Sequence, residues 1–158
     1  RQFMQCDIDI LGEASNLAEI ELILATTTTL GKLGFKNFQI RINDRRILKA
    51  MASYSGFDGE SYDEIFIILD KMDKIGTDGV KKELLAAGYQ EEAVEKYLRL
   101  FEEMEKAEDK AVYMTEKLEG YLPEEAGRGF QEILESVNAS KGDFFELVFD
   151  PTLVRGMS

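Results

Sequence analysis

Phe3-Met4-Gln5-Cys6-Asp7-Ile8-Asp9-Ile10-Leu11 alternates along its length, and its reading decides the fold. Side chains of an extended strand point to opposite faces with period two. Met4, Cys6, Ile8 and Ile10 share one face, suited to burial, while Phe3, Gln5, Asp7 and Asp9 share the other. The spacing predicts a strand over about 2–11 with an apolar side and a side showing a ring, an amide and two carboxylates. By itself, an acid-bearing strand face is most simply solvated surface.

Outward from that strand, Ser15 and Asn16 are candidate caps for a helix running to about Lys32. Its apolar side holds Leu17, Ile20, Ile23, Leu24 and Leu30, and Gly34 is placed to end it. Thr26 to Thr29 are poor helix formers, so that stretch must lean on packing. Phe38-Gln39-Ile40-Arg41-Ile42 alternates again and predicts a second strand over 37–43. Asn43-Asp44 then opens a short helix over Arg45 to Ser53. Gly56 and Gly59 punctuate the chain before Ser61, which with Glu64 has capping-box spacing.

From there to Gly120 every segment reads as helix. Tyr62 to Lys74 carries Ile65, Ile68, Leu69 and Met72 as its stripe. Val80 to Ala87 and Glu91 to Lys106 read as an antiparallel pair joined at Gly88, and Lys110 to Leu118 as a further helix. After Pro123 comes a helix to about Val137, then a strand over Phe144 to Phe149 before Asp150-Pro151. The expected class is α+β: strands 2–11, 37–43 and 144–149 in one mainly antiparallel sheet, interrupted by an all-helical insertion. The expected divisions are 1–55, 56–120 and 121–158.

Charge marks the same insertion. The chain of 158 residues carries a net −12, and Asp58 to Glu119 alone holds 18 acids against 9 bases. That balance argues against gripping nucleic acid over the whole surface. A hydrophobic content of 44% suffices for a core. One cysteine forms no internal disulfide, which fits a reducing cytosol, and the absence of histidine removes Ser-His-Asp and Cys-His nucleophile systems. No apolar run spans a bilayer, so a soluble, cytoplasmic protein without membrane contact is expected. Asp70, Lys71, Asp73 and Lys74 are most simply a solvated, salt-bridged face. There is no phosphate-cradling Gly-Lys-Ser/Thr loop and no dinucleotide glycine fingerprint, so any ATP must be held by another fold.

Five stretches, in order, carry a resemblance. Arg1-Gln2-Phe3-Met4-Gln5-Cys6-Asp7-Ile8-Asp9-Ile10-Leu11-Gly12 resembles the return strand of motif 2 in the histidyl-tRNA synthetase family of class II aminoacyl-tRNA synthetases. Ala18-Glu19-Ile20-Glu21-Leu22-Ile23 is similar to the family's Ala-Glu helix, and Ile42-Asn43-Asp44-Arg45-Arg46-Ile47-Leu48 to its Asn-x-Arg helix start. Leu69-Asp70-Lys71-Met72-Asp73-Lys74 looks like the opening of its insertion. Phe149-Asp150-Pro151-Thr152-Leu153-Val154-Arg155-Gly156 looks like its histidine-specific signature, which usually continues Leu-Asp-Tyr-Tyr where this chain has Met157-Ser158. The first and last of these motifs are cut by the chain ends, which predicts an internal piece of a longer enzyme, inactive alone.

The resemblance implies a class II sheet and a set of roles. Phe3 would stack on the ATP adenine, and Gln5 and Asp9 would hold the substrate histidine. The family usually has Glu at the position of Asp9, so this carboxylate sits one methylene further back, a gap that a water can bridge. Arg155 would touch both the ATP α-phosphate and the histidine carboxylate, acting as the catalytic residue. The resemblance also implies ATP as substrate, Mg2+, tRNA(His) as partner, a homodimer, and an insertion that approaches the tRNA acceptor stem. Two other readings stand beside it. One is the regulatory, synthetase-like subunit of ATP phosphoribosyltransferase, which typically lacks the insertion and is disfavoured by Arg155-Gly156. The other is a helical protein-binding module.

Overall fold

The structure, a computed structural model, describes residues 2–12, 14–140 and 145–154. In chain order it forms α1 (Leu17–Lys32), β1 (Phe38–Ile42), α2 (Arg45–Ser55), a 3-10 turn (Gly59–Ser61), α3 (Tyr62–Leu69) and α4 (Met72–Ala86). There follow α5 (Glu91–Lys106), α6 (Lys110–Lys117), α7 (Glu124–Ser140) and β2 (Phe145–Phe149). The class is α+β. Two compact units divide the chain: Arg1–Ile40 with Gly129–Leu147, and Arg41–Arg128 with Val148–Ser158. Among the described residues no helix is long and apolar enough to cross a membrane.

In the first unit, α1 ends as its sequence requires. Phe35 N–H bonds the Leu30 carbonyl at 3.1 Å and Gly34 N–H bonds Gly31 at 3.0 Å, the double closure of a Schellman motif. Gly34 takes φ +89°, which suits a residue without Cβ. The threonines turn their hydroxyls back onto the helix: Thr26 Oγ1 donates to the Leu22 carbonyl and Thr29 Oγ1 to that of Ala25, each at 2.8 Å. Of α1 only Thr27 is buried, and Leu17 is 58% exposed, so the predicted apolar side is only partly covered.

Residues 2–10 form no strand, which corrects the expectation for 2–11. A strand is stable only where a neighbour completes its ladder. The sheet seen here pairs β1 with β2 alone, leaving Phe3 at 79% and Met4 at 91% exposure. The one strand pair described here, β1 with β2, is parallel. Phe38 stacks on Phe145 with ring centroids 5.7 Å apart, Gln39 Nε2 donates to Glu146 Oε2 at 3.2 Å, and Asp150 N–H bonds the Ile42 carbonyl at 3.0 Å. Both strands therefore run the same way. The helical connection between them makes this possible, since parallel neighbours need a long crossover.

The second unit is a helical core. Helix α5 buries Val94, Tyr97, Leu98, Leu100, Phe101 and Met104, a stripe at the three- and four-residue spacing of an amphipathic helix. Each such side chain contributes roughly 1.5–3 kcal/mol by leaving water. It packs against α2, α4 and α6, while α3 packs on α4. Tyr97 meets Phe57 and Phe101 edge-on, with centroids 5.4 and 4.9 Å apart.

Two local expectations fail here for physical reasons. The helix expected over 62–74 stops at Leu69. Lys71 N–H bonds the Ile68 carbonyl at 3.1 Å, tightening the turn, and Gly76, with φ +69° and ψ 178°, breaks the next helix inside its second turn. The Ser61–Glu64 capping box does not form. The 3-10 turn delivers Ser61 in helical geometry, whereas a capping box needs an extended N-cap. Glu64 Oε2 instead accepts a hydrogen bond from Tyr89 Oη at 2.6 Å.

Candidate functional site

Phe3, Gln5 and Asp9 all lie on the extended, exposed segment before α1. Gln5 Nε2 donates to Asp7 Oδ1 at 3.1 Å, a contact allowed because residues two apart share a face. The structure thus joins Gln5 to Asp7, a residue without an assigned role, and leaves Phe3 and Asp9 open to water. Asp7 is legible in the sequence as a same-face carboxylate; only the structure pairs it with the amide. Arg155 lies outside the described residues.

Backbone and side-chain hydrogen bonds hold the segment before Arg155. The carbonyl of Ile42 accepts from Asp150 N–H at 3.0 Å, bringing the end of β2 beside the end of β1. There the chain turns, with Leu153 N–H returning to the Asp150 carbonyl at 3.1 Å. Inside the turn, Asp150 Oδ1 accepts from Thr152 N–H at 2.9 Å and from Thr152 Oγ1 at 2.6 Å. Arg41 Nη1 sits 3.3 Å from Asp150 Oδ2. Asn43 Nδ2 donates to the Leu153 carbonyl at 3.1 Å, and Asn43 Oδ1 accepts from Asp44 N–H at 2.8 Å. Pro151 and Val154 are buried.

The next residue, Asp44, caps α2. Its Oδ1 accepts from Arg46 N–H at 2.8 Å, and the Arg46 guanidinium closes on Oδ2 at 2.7 Å. Burial works to raise the Asp44 pKa, but the hydrogen bonds and charge from Arg46 outweigh it and hold the carboxyl below its ordinary value. In the sequence, Asn43-Asp44 reads as a helix start. Its second use, holding the turn before Arg155, depends on residues some hundred positions apart in the chain.

The helical unit has its own cleft of about 320 Å³, lined by Tyr54, Glu92, Lys96, Arg99, Glu103 and Lys117 among others. Lys96 Nζ lies 4.4 Å from the Tyr54 ring centre, and Tyr54 meets Tyr121 edge-on at 5.5 Å. Glu103 accepts from Tyr113 Oη at 2.5 Å and stands 3.9 Å from Lys117. Burial, with that bond to Glu103, pushes the Tyr113 phenol well above its ordinary range. Among the described residues no three His, Cys, Asp or Glu side chains converge as an all-protein metal site requires.

Comparison with known proteins extends the picture. The family profile for histidyl-tRNA synthetase matches residues 1–158. Histidine–tRNA ligase of Leifsonia xyli is 41% identical over 160 residues, covering 99% of this chain and 37% of that relative. Histidine–tRNA ligase of Flavobacterium johnsoniae is 35% identical over 161 residues, covering 100% of this chain and 33% of the relative. The chain thus spans about a third of the length of these relatives, 37% of one and 33% of the other.

Proposed function

Because this chain belongs to the histidyl-tRNA synthetase family, we propose that the protein carrying it is a histidine–tRNA ligase. In this reading the histidine carboxylate attacks the α-phosphorus of ATP, an oxygen–phosphorus bond forms, and pyrophosphate leaves with the electrons of the broken bond. Histidyl-adenylate then passes its acyl group to a hydroxyl of tRNA(His), and AMP leaves with the electrons of the broken acyl–oxygen bond. Arg155 is the catalytic residue: a guanidinium between two anions offsets their repulsion and the charge building on phosphorus. Phe3 stacks on adenine, and Gln5 and Asp9 hold the histidine, the carboxylate facing its ammonium. By family resemblance, Mg2+ accompanies the ATP.

The reading extends to the whole molecule. Residues 56–120 are the insertion between core parts 1–55 and 121–158, and they approach the tRNA acceptor stem. The cleft around Tyr54 sets Lys96, Arg99 and Lys117 among Glu92, Glu95 and Glu103, so its charges balance and it is no basic patch for that contact. Residues 2–11 become a strand of the class II antiparallel sheet by pairing with neighbours outside this chain. The enzyme is a cytoplasmic homodimer.

One observation carries the proposal: the family match runs unbroken over both the segment of Phe3, Gln5 and Asp9 and the turn that leads to Arg155. Pyrophosphate exchange tests it. The full-length protein should exchange pyrophosphate into ATP only when histidine is present. The isolated 158-residue chain should not, since its histidine-binding segment lies unpaired in solvent. Exchange with another amino acid, or turnover by the isolated chain, would contradict the reading.

A further inference from the structure

We infer that Asp7 is a positioning residue for Gln5, turning the amide so that its oxygen is offered to the substrate histidine; this rests on the substrate role proposed for Gln5. Gln5 Nε2 donates to Asp7 Oδ1 at 3.1 Å and to Oδ2 at 3.4 Å, so the NH2 end of the amide straddles the carboxylate. The two residues stand two apart on an extended segment, about 6.6 Å along the backbone, a gap that the longer glutamine side chain closes. Neither side chain is buried, so the contact is made by charge and hydrogen bonding and is not forced by packing.

The chemistry of the pair fixes which way the amide faces. An ionised carboxylate only accepts, whereas an amide has one end that donates and one that accepts. Turned the other way, Gln5 would set its oxygen against the negative Asp7 oxygens, with no hydrogen between them. Asp7 therefore claims the NH2 end, and Gln5 Oε1 is left to accept. Histidine offers N–H donors in its ammonium and in its imidazole, so the oxygen is the end that such a substrate needs. Asp9 lies two residues beyond Asp7 on the same face, which places Asp7 between the two residues proposed to hold histidine.

The test uses the full-length protein carrying this sequence, in four forms: wild type, Asp7→Ala, Gln5→Ala and the double variant. Pyrophosphate exchange gives KM for histidine and for ATP in each. Asp7→Ala should raise the histidine KM about 3- to 10-fold, the worth of one oriented hydrogen bond, with the ATP KM unchanged. In the Gln5→Ala background the same substitution should cost nothing further, because both act through one amide. Additive losses in the double variant would mean that Asp7 meets the substrate by itself, and would overturn the positioning role. So would an unchanged histidine KM in Asp7→Ala beside a raised one in Gln5→Ala. A parallel rise in the ATP KM would overturn it too, as the mark of a distorted segment that also carries Phe3. An unchanged histidine KM in Gln5→Ala would instead sink the substrate role beneath the inference. Should a thermal melt show Asp7→Ala unfolded, Asp7→Asn takes its place. Its amide pairs with either end of Gln5, so orientation is lost while size is kept. A histidine KM rise of about 2-fold or more that vanishes without Gln5 is then expected, and no rise overturns the inference.

Discussion

Asn16 does not cap the helix it precedes: its Nδ2 donates to Glu132 Oε2 at 3.1 Å, tying the start of α1 to α7 across 116 positions of sequence. The first free N–H of α1, that of Leu17, is taken by Ser15 Oγ at 3.3 Å. The Asn16 amide rests on Gly129, where an added Cβ would meet Nδ2 at 3.1 Å.

That contact sets up a coupled pair of substitutions. Gly129→Ala gains helix propensity of about 1 kcal/mol within α7, but Asn16 must yield to the new methyl. The gain should appear in full only when Asn16→Ala is also present, so the double variant should exceed the sum of the singles in urea midpoint. Strict additivity would show that the amide moves aside freely.

Among the described residues, Tyr97 Oη is the buried side-chain polar atom without a hydrogen-bond partner. The ring is fully buried, and burial pushes the phenol pKa far upward, so the hydroxyl stays neutral. Tyr97→Phe should keep the edge-on ring contacts and lose only an unpaired group, leaving stability unchanged or raised by about 1 kcal/mol. A lower urea midpoint would reveal a partner for that hydroxyl.

Asp44 should give α2 an acid-sensitive start. Its folded-state pKa lies below the ordinary 3.8, so its contribution is complete above that value and is lost as pH falls through the folded-state pKa. Asp44→Ala should cost about 0.5–2 kcal/mol at neutral pH, as loss of an N-cap does. The gap from wild type should narrow below 3.8. Denaturant midpoints of both proteins at pH 7 and about pH 3 check this; a constant gap would mean that the carboxylate charge is irrelevant.

Residues 2–11 should change state with context. In this chain their amides should exchange with solvent freely, since no ladder protects them. In the full-length protein the same amides should be protected by neighbouring strands. Hydrogen exchange read by mass spectrometry compares the two directly, and equal, rapid exchange in both would remove this segment from the sheet.

Asp9→Ala in the full-length enzyme should weaken histidine binding more than ATP binding. A charge-assisted hydrogen bond is worth about 1.5–3 kcal/mol, so the histidine KM should rise roughly tenfold to a hundredfold. An unchanged KM would make Asp9 plain surface.

The helices of the second unit were legible in the chain because their information is local. The stripe Val94, Tyr97, Leu98, Phe101 and Met104 recurs at helical spacing, and α5 forms over Glu91–Lys106 as that spacing requires. Gly34 likewise ends α1 by its own backbone freedom. What sequence could not supply is the partner of any group that looks beyond its own turn. Glu64 had the right spacing to cap α3 and went to Tyr89; Asn16 stood at an N-cap and went to Glu132. The 2–11 alternation states which face would be buried, but a strand exists only through a neighbour's hydrogen bonds, and here no described segment supplies them. The same holds for the candidate site. The residue types at 3, 5, 9 and 155 were readable as a pattern, whereas the clamp of Asn43 on Leu153 arose only when folding brought the ends of β1 and β2 together. Local periodicity is written in covalent order; long-range hydrogen bonds are decided by which polar groups the packed chain leaves facing one another.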